Sequence, residues 1–173
     1  MSREAFCQLT AGDVSVLMSM LEHYSEKPGP FTILLRDKLN HAGIFFREDI
    51  PADIVTLDSR VIYTIDGETR GPQVLVRSDA ADLPPFALSV HSLEGLALLG
   101  LAEGESFEMD RGDGRYRVMT VVKVVFQPEA QERDRSAKSK ADIFDEAPTI
   151  VSFRRRRQAH HADPDNDPGP SAA

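Results

Sequence analysis

Apolar residues change their spacing along this chain, and each change predicts an element. Val14, Leu17, Met18 and Leu21 recur at i, i+3, i+4 and i+7, the stripe of an amphipathic helix. Thr10 stands just ahead of that stripe with Asp13 three residues on, so TAGD predicts a capping box. SEKPGP stops the helix, and Phe31, Leu34, Leu35, Leu39 and Ala42 form a second stripe that runs towards Gly43. Two helices of about four and three turns joined by a Pro and Gly loop predict an antiparallel hairpin. On spacing alone, a plain two-helix cap over a sheet accounts for the pair.

From Arg47 to Pro51 the chain reads as a connector, because Pro51 pushes its neighbour out of helix. Period-two patterns follow. Ile54 to Leu57 and Ser59 to Ile65 read as extended, with Val61, Tyr63 and Ile65 on one face, and Asp66 and Gly67 as a hairpin turn. Val74 and Val76 mark the next strand, SDAADLPP a loop, and Phe86, Leu88 and Val90 the approach to a short helix. Ser92 is placed to cap that helix and Glu94 lies in its first turn, where the helix dipole favours negative charge. Leu93, Leu96 and Leu99 share its buried face. Gly100 suits the left-handed residue that closes the helix, and Gly104 the turn after it. Phe107 and Met109 lie on one side of the following strand, Arg111 to Gly114 make a tight hairpin, and Tyr116, Val118, Thr120, Val122 and Val124 continue a period of two.

The predicted fold class is α+β: a short N-terminal antiparallel helical hairpin, then an antiparallel sheet domain with one short helix. The expected divisions are an arm over 1–9, the hairpin over 10–47, the sheet domain over 48–128 and a mostly disordered tail over 129–173. EAQERDRSAKSKAD is charged and poor in apolar residues, and HHADPDNDPGPSAA is rich in Pro, Asp and small residues. Between them Ile150, Val151 and Phe153 are suited to a strand at a sheet edge, and Arg154, Arg155, Arg156 and Arg157 to phosphate or an acidic protein surface, although a charge run is usually a solvated tail.

Charge narrows the function. Asp and Glu outnumber Lys and Arg, 28 to 20, a formal net charge of −8, so specific recognition of free DNA is not expected. Cys7 stands alone, which excludes an intrachain disulfide and makes reduced cytoplasm the expected setting. No run approaches the roughly 18 apolar residues of a membrane span. Nothing in the pattern asks for a cofactor.

In their order, LSV, a small helix ending in ALLGL, an acid-and-glycine turn, an alternating strand, a glycine hairpin and a last strand ending near FQPEA resemble the C-terminal domain of the Gre transcription factors, and within that superfamily the Rnk-type regulators of nucleoside diphosphate kinase. With DIPADIVTLDSRVIYT, the resemblance spans roughly Ala11 to Ala130. It implies an FKBP-like fold for the sheet domain and RNA polymerase as partner, bound at the secondary channel. In Gre factors the tip of the helical hairpin carries acidic residues that help hold a second Mg²⁺ for transcript cleavage. Here the tip is Glu22, His23, Tyr24, Ser25, Glu26 and Lys27, and two solvated glutamates one helical turn apart account for its acids; no metal site is assigned. The resemblance further implies that the turn His91, Ser92, Leu93, Glu94 belongs to the polymerase-docking surface. Two positions depart from the Gre pattern, since His91 stands where an acid is usual and Leu93 replaces Pro.

The expectation is therefore a monomeric, non-catalytic transcription regulator that competes with Gre-type factors and modulates elongation without cleavage. A prolyl isomerase or chaperone-type module is the alternative from another class. Against an isomerase, the chain has no Trp, and its Phe and Tyr fall at strand-alternation positions that core packing explains. Arg111–Gly112–Asp113 reads as a hairpin turn. Asp163, Asp165 and Asp167 fail as a calcium loop because Pro168 sits where Gly is needed, and His160 and His161 are adjacent and cannot chelate as an i, i+4 pair.

Overall fold

Thr10 opens the first helix, α1 (Ala11–Tyr24). Its hydroxyl accepts from the Asp13 amide at 3.0 Å, and the Asp13 carboxylate accepts from the Thr10 amide at 3.2 Å. Asp13 is buried and also accepts from the Leu57 amide at 3.3 Å, tying the start of α1 to the loop before the sheet. Burial pushes its carboxyl pKa up, while the hydrogen bonds from Thr10 and Leu57 hold it down. Asp13→Ala leaves two buried backbone amides unpaired, so the expected cost is about 2–3 kcal/mol in a urea titration. A loss below about 0.5 kcal/mol would mean the box does not bind these amides.

The computed structural model describes residues 7–145, with side chains through 142. After α1 come α2 (Pro30–His41), α3 (Leu93–Leu98) and α4 (Pro128–Asp145). A two-stranded parallel ladder pairs β1 (Gln8–Thr10) with β2 (Gly43–Phe45). The main sheet holds β3 (Arg60–Ile65), β4 (Glu68–Val76), β5 (Ala87–Ser89), β6 (Ser106–Asp110) and β7 (Tyr116–Phe126), in the order β5-β4-β3-β7-β6. The class is mixed α+β. No helix among the described residues is long and apolar enough to cross a membrane.

One core joins the helices to the sheet. Leu9, Leu17, Leu35, Leu96, Leu99, Val61, Tyr63 and Val121 belong to a single buried cluster that runs across the expected boundary near residue 47. Asp66 (φ 51°) and Gly67 (φ 87°) are both left-handed, which fits a two-residue turn between strands of right-handed twist. Gly100 (φ 85°) closes α3.

Four expectations need correction. The sheet is mixed, because β5 pairs with β4 in parallel, Val74 opposite Ala87. Residues 77–86 return along β4 before β5 begins, and a loop of that length lets the strand run in the same direction. In β7 the buried residues are Met119, Val121 and Val124, whereas Tyr116, Val118 and Val122 face solvent. Register shifts opposite Arg60/Val61 and Ile62/Tyr63 change the parity of the strand, so no single period-two face exists. In α1 the buried side is Asp13, Leu17 and Met20, and Met18 is 57% exposed.

The fourth concerns the tail. Residues 129–145, expected to be disordered, are helical in α4. Pro128 suits a first helical position, Glu, Ala, Gln, Arg and Lys are strong helix formers, and Glu129/Arg133 and Asp134/Lys138 are i, i+4 pairs of opposite charge. The start is anchored by the buried Gln127 and Glu129 and by Arg133. Gln127 Nε2 donates to the carbonyls of Pro51 and Ile54, both at 2.8 Å, Thr56 Oγ1 donates to Glu129 Oε2 at 2.7 Å, and Arg133 donates to the Arg47 carbonyl at 3.1 Å. Residues 146–173, including Ile150, Val151, Phe153, Arg154, Arg155, Arg156 and Arg157, lie outside the described residues.

Lys38 is the least expected core residue. It is 4% exposed, and its ammonium donates to the carbonyls of Ala97 (3.1 Å) and Leu99 (2.5 Å) and to Cys7 Sγ (3.7 Å). These carbonyls end α3, so the cation caps a helix that it reaches from another element.

Candidate functional site

The turn before α3 is built from serines. Ser89 Oγ donates to the Ser78 carbonyl at 2.5 Å and accepts from the His91 amide at 3.0 Å. Ser92 Oγ donates to the Ser89 carbonyl at 2.6 Å and accepts from the Gly95 amide at 3.0 Å, the N-cap bond of α3. His91, Ser92, Leu93 and Glu94 are all half-buried. Leu93 packs on the core. Glu94 points to Arg117, whose guanidinium lies 3.8 Å from it and 3.6 Å from Asp66.

The connection between α1 and α2 reaches this same turn. The Tyr24 hydroxyl is 3.2 Å from His91 Nδ1, and their ring centroids are 5.9 Å apart. Phe31 packs edge-on against Tyr24 at 5.1 Å, His23 meets it at 5.2 Å, and the Lys27 ammonium lies 5.5 Å from the Tyr24 ring. Thr32 Oγ1 donates to the Lys27 carbonyl at 2.7 Å and so fixes the connection. A groove continues from this point, lined by Ser19, Met20, His23, Arg77, Asp79 and His91.

The two groups of residues singled out in the sequence thus touch through Tyr24 and His91. Ser25, Glu22 and Glu26 are exposed and stand apart from that contact, and Ser25 Oγ donates to the Glu22 carbonyl at 3.3 Å. Among the described residues no group of three or more His, Cys, Asp or Glu is arranged to hold a metal ion. Arg77, Asp79 and Arg117 are additions that the sequence reading missed. They come from a loop and a strand distant in sequence, and no spacing rule brings them to the turn.

The surface has the chemistry of a contact patch: aromatic rings, two histidines and mixed charge around a rigid turn. Its backbone setting is similar to that of the prokaryotic transcription elongation factor GreA/GreB from Nitrosomonas europaea, with a TM-score of 0.54 and 27% identity over 69% of this chain and 99% of that one. The protein is accordingly a transcription-factor-like regulator with a Gre-type fold. Over 103 residues it is 33% identical to the regulator of nucleoside diphosphate kinase from Escherichia coli strain K12, covering 58% of this chain and 75% of that protein. The Shigella flexneri protein of that name matches to the same extent. No protein-family model matches the chain. The chain belongs to the family of the regulator of nucleoside diphosphate kinase.

Proposed function

We propose that this protein binds RNA polymerase at the secondary channel, competes there with Gre-type factors and modulates elongation without promoting transcript cleavage. The observation that carries the reading is the Tyr24–His91 contact, which makes one continuous surface of the helical connection and the turn before α3. In this reading the turn His91 to Glu94 docks on the channel rim, and Glu22, His23, Tyr24, Ser25, Glu26 and Lys27 enter beside it. Cleavage chemistry needs carboxylates gathered round a hard cation so that the ion can activate water. Glu22 lies in the last turn of α1 and Glu26 in the turn beyond its end, both exposed, and among the described residues they gather no third ligand.

The test uses purified core RNA polymerase. The expected result is saturable binding, displacement by a Gre factor, and no stimulation of cleavage in a backtracked complex. His91→Ala is expected to weaken binding by about tenfold, the loss of roughly 1.4 kcal/mol at a half-buried aromatic contact. Stimulated cleavage would overturn the assignment of the tip. Absence of binding would overturn the partner, and peptidyl-prolyl isomerase activity would then take its place.

A further inference from the structure

The sheet has two faces, and the helices cover one. α1, α2 and α3 pack on the side that carries Val61, Tyr63, Met119 and Val121. On the other side Tyr116 and Val118 are 67% and 42% exposed, and Val122 and Val125, at the two register shifts, are 50% and 48% exposed, all on the strand second from the sheet edge. No described residue covers this stripe. An exposed row of β-branched and aromatic side chains on an uncovered sheet face is the kind of surface that soluble chains keep for a partner.

We propose that the partner is a second copy of this chain, docked face to face about a two-fold axis that crosses β7 near Thr120. Charge placement carries the choice. Arg60 lies opposite Phe126, and Lys123 opposite Ile62, so two cations stand at one end of the stripe, with the Glu103 carboxylate held beside it by the Val124 amide. Glu108 lies opposite Val118, and Asp110 opposite Tyr116, so the other end is acidic. Arg60, Lys123, Glu108 and Asp110 are all exposed.

Lys123 is three residues from Thr120 and Tyr116 is four, about 10 and 13 Å along a strand. A two-fold axis through Thr120, perpendicular to the strands, therefore lays the basic end of each copy over the acidic end of the other. Such an isologous contact closes on itself. At the centre Ser106 Oγ and Thr120 Oγ1 already pair at 2.7 Å, which lowers the cost of burying them. Arg111 and Arg115, which would blur the acidic end, lie past or at the edge of the ladder in a turn that leans to the helical side, where Gly112 abuts Pro30. The turn His91 to Glu94 adjoins the opposite face, so a pair formed this way leaves it accessible, and the inference stands or falls apart from polymerase binding.

The test is sedimentation equilibrium of the full chain from about 1 µM to about 1 mM, the range in which weak interfaces become populated. A reversible monomer–dimer equilibrium is expected. Val122→Glu raises its dissociation constant by at least about tenfold. Lys123→Glu and Glu108→Lys each weaken it, and the double exchange Lys123→Glu with Glu108→Lys restores it, with far-ultraviolet circular dichroism unchanged throughout. A chain monomeric over the whole range overturns the proposal. So does a dimer indifferent to all these substitutions, and so does a monomer whose Val122→Glu variant loses polymerase affinity, which would assign the face to the polymerase.

Discussion

Gly95→Ala is expected to destabilise the fold by about 3 kcal/mol or more, although an alanine is intrinsically the better helix former by about 1 kcal/mol. Gly95 is buried in the first turns of α3, and a Cβ there would run into the carbonyl oxygen of Ser89, with the Ser89 carbonyl carbon at 2.8 Å and Leu75 Cδ1 at 3.1 Å. The obstacle is backbone, which cannot rotate aside. It is also the oxygen that accepts from the Ser92 amide and hydroxyl, so any shift that relieves the collision loosens the N-cap of α3. Sterics therefore outweigh propensity. Thermal or urea unfolding of the variant reads the effect, and an alanine chain as stable as the parent would show that α3 is not seated against β5 as described. Because the turn His91 to Glu94 leads directly into α3, the same substitution is expected to weaken the polymerase contact proposed for that turn.

Lys38→Ala is expected to cost about 3–4 kcal/mol, and Lys38→Met about half as much. Either change strips the carbonyls of Ala97 and Leu99 of their donor, while Met keeps the buried stem and Ala adds a cavity. Removing a buried charge returns part of the loss, since among the described residues no carboxylate lies within ion-pair distance of Lys38 to offset its desolvation. Burial pushes the Lys38 pKa below 10.5. The folded chain thus gives up this proton more readily than the unfolded chain, and the contribution of this residue is largest above pH 10.5 and is lost as pH falls through the folded-state value. The gap in stability between the parent and Lys38→Met should consequently widen as pH rises towards 10.5. Burial pushes the Cys7 thiol up, which acts in the opposite sense above pH 9. Carrying Cys7→Ser in both chains isolates the lysine. A gap constant from pH 7 to 10.5 would mean that Lys38 titrates normally and is not buried.

Local signals carried much of the fold. The capping box at Thr10, the Asp66–Gly67 turn, the Ser92 cap and the left-handed Gly100 and Gly104 each rest on residues a few positions apart, and all are present. The features that escaped depend on partners far along the chain. β1, β2 and β5 have three residues each, too few for a period to register. The parity of β7 is set by two register shifts against β3. Lys38 looks like one more solvent-facing charge on α2 until the end of α3 is laid over it. α4 failed for a different reason. Low apolar content was weighed as disorder, whereas helix propensity, paired charges and an anchored start decide the matter. At the candidate site the residue types were readable from the resemblance, but the Tyr24–His91 contact spans 67 positions and no local rule predicts it.

The clasp that holds Cys7 beside Leu99 joins positions 92 apart in the chain. During synthesis at about 5–20 residues per second, the thiol therefore waits roughly 5–18 s for its final neighbours to leave the ribosome. Over that interval it is an ordinary, water-exposed sulfhydryl, open to oxidants and alkylating agents. Once the Gln8 amide finds the Gly100 carbonyl at 2.9 Å, the sulfur lies out of reach with its ionisation suppressed. Cys7 thus keeps time for the newborn molecule, chemically vulnerable while the chain is being made and sealed when the last piece of its pocket arrives.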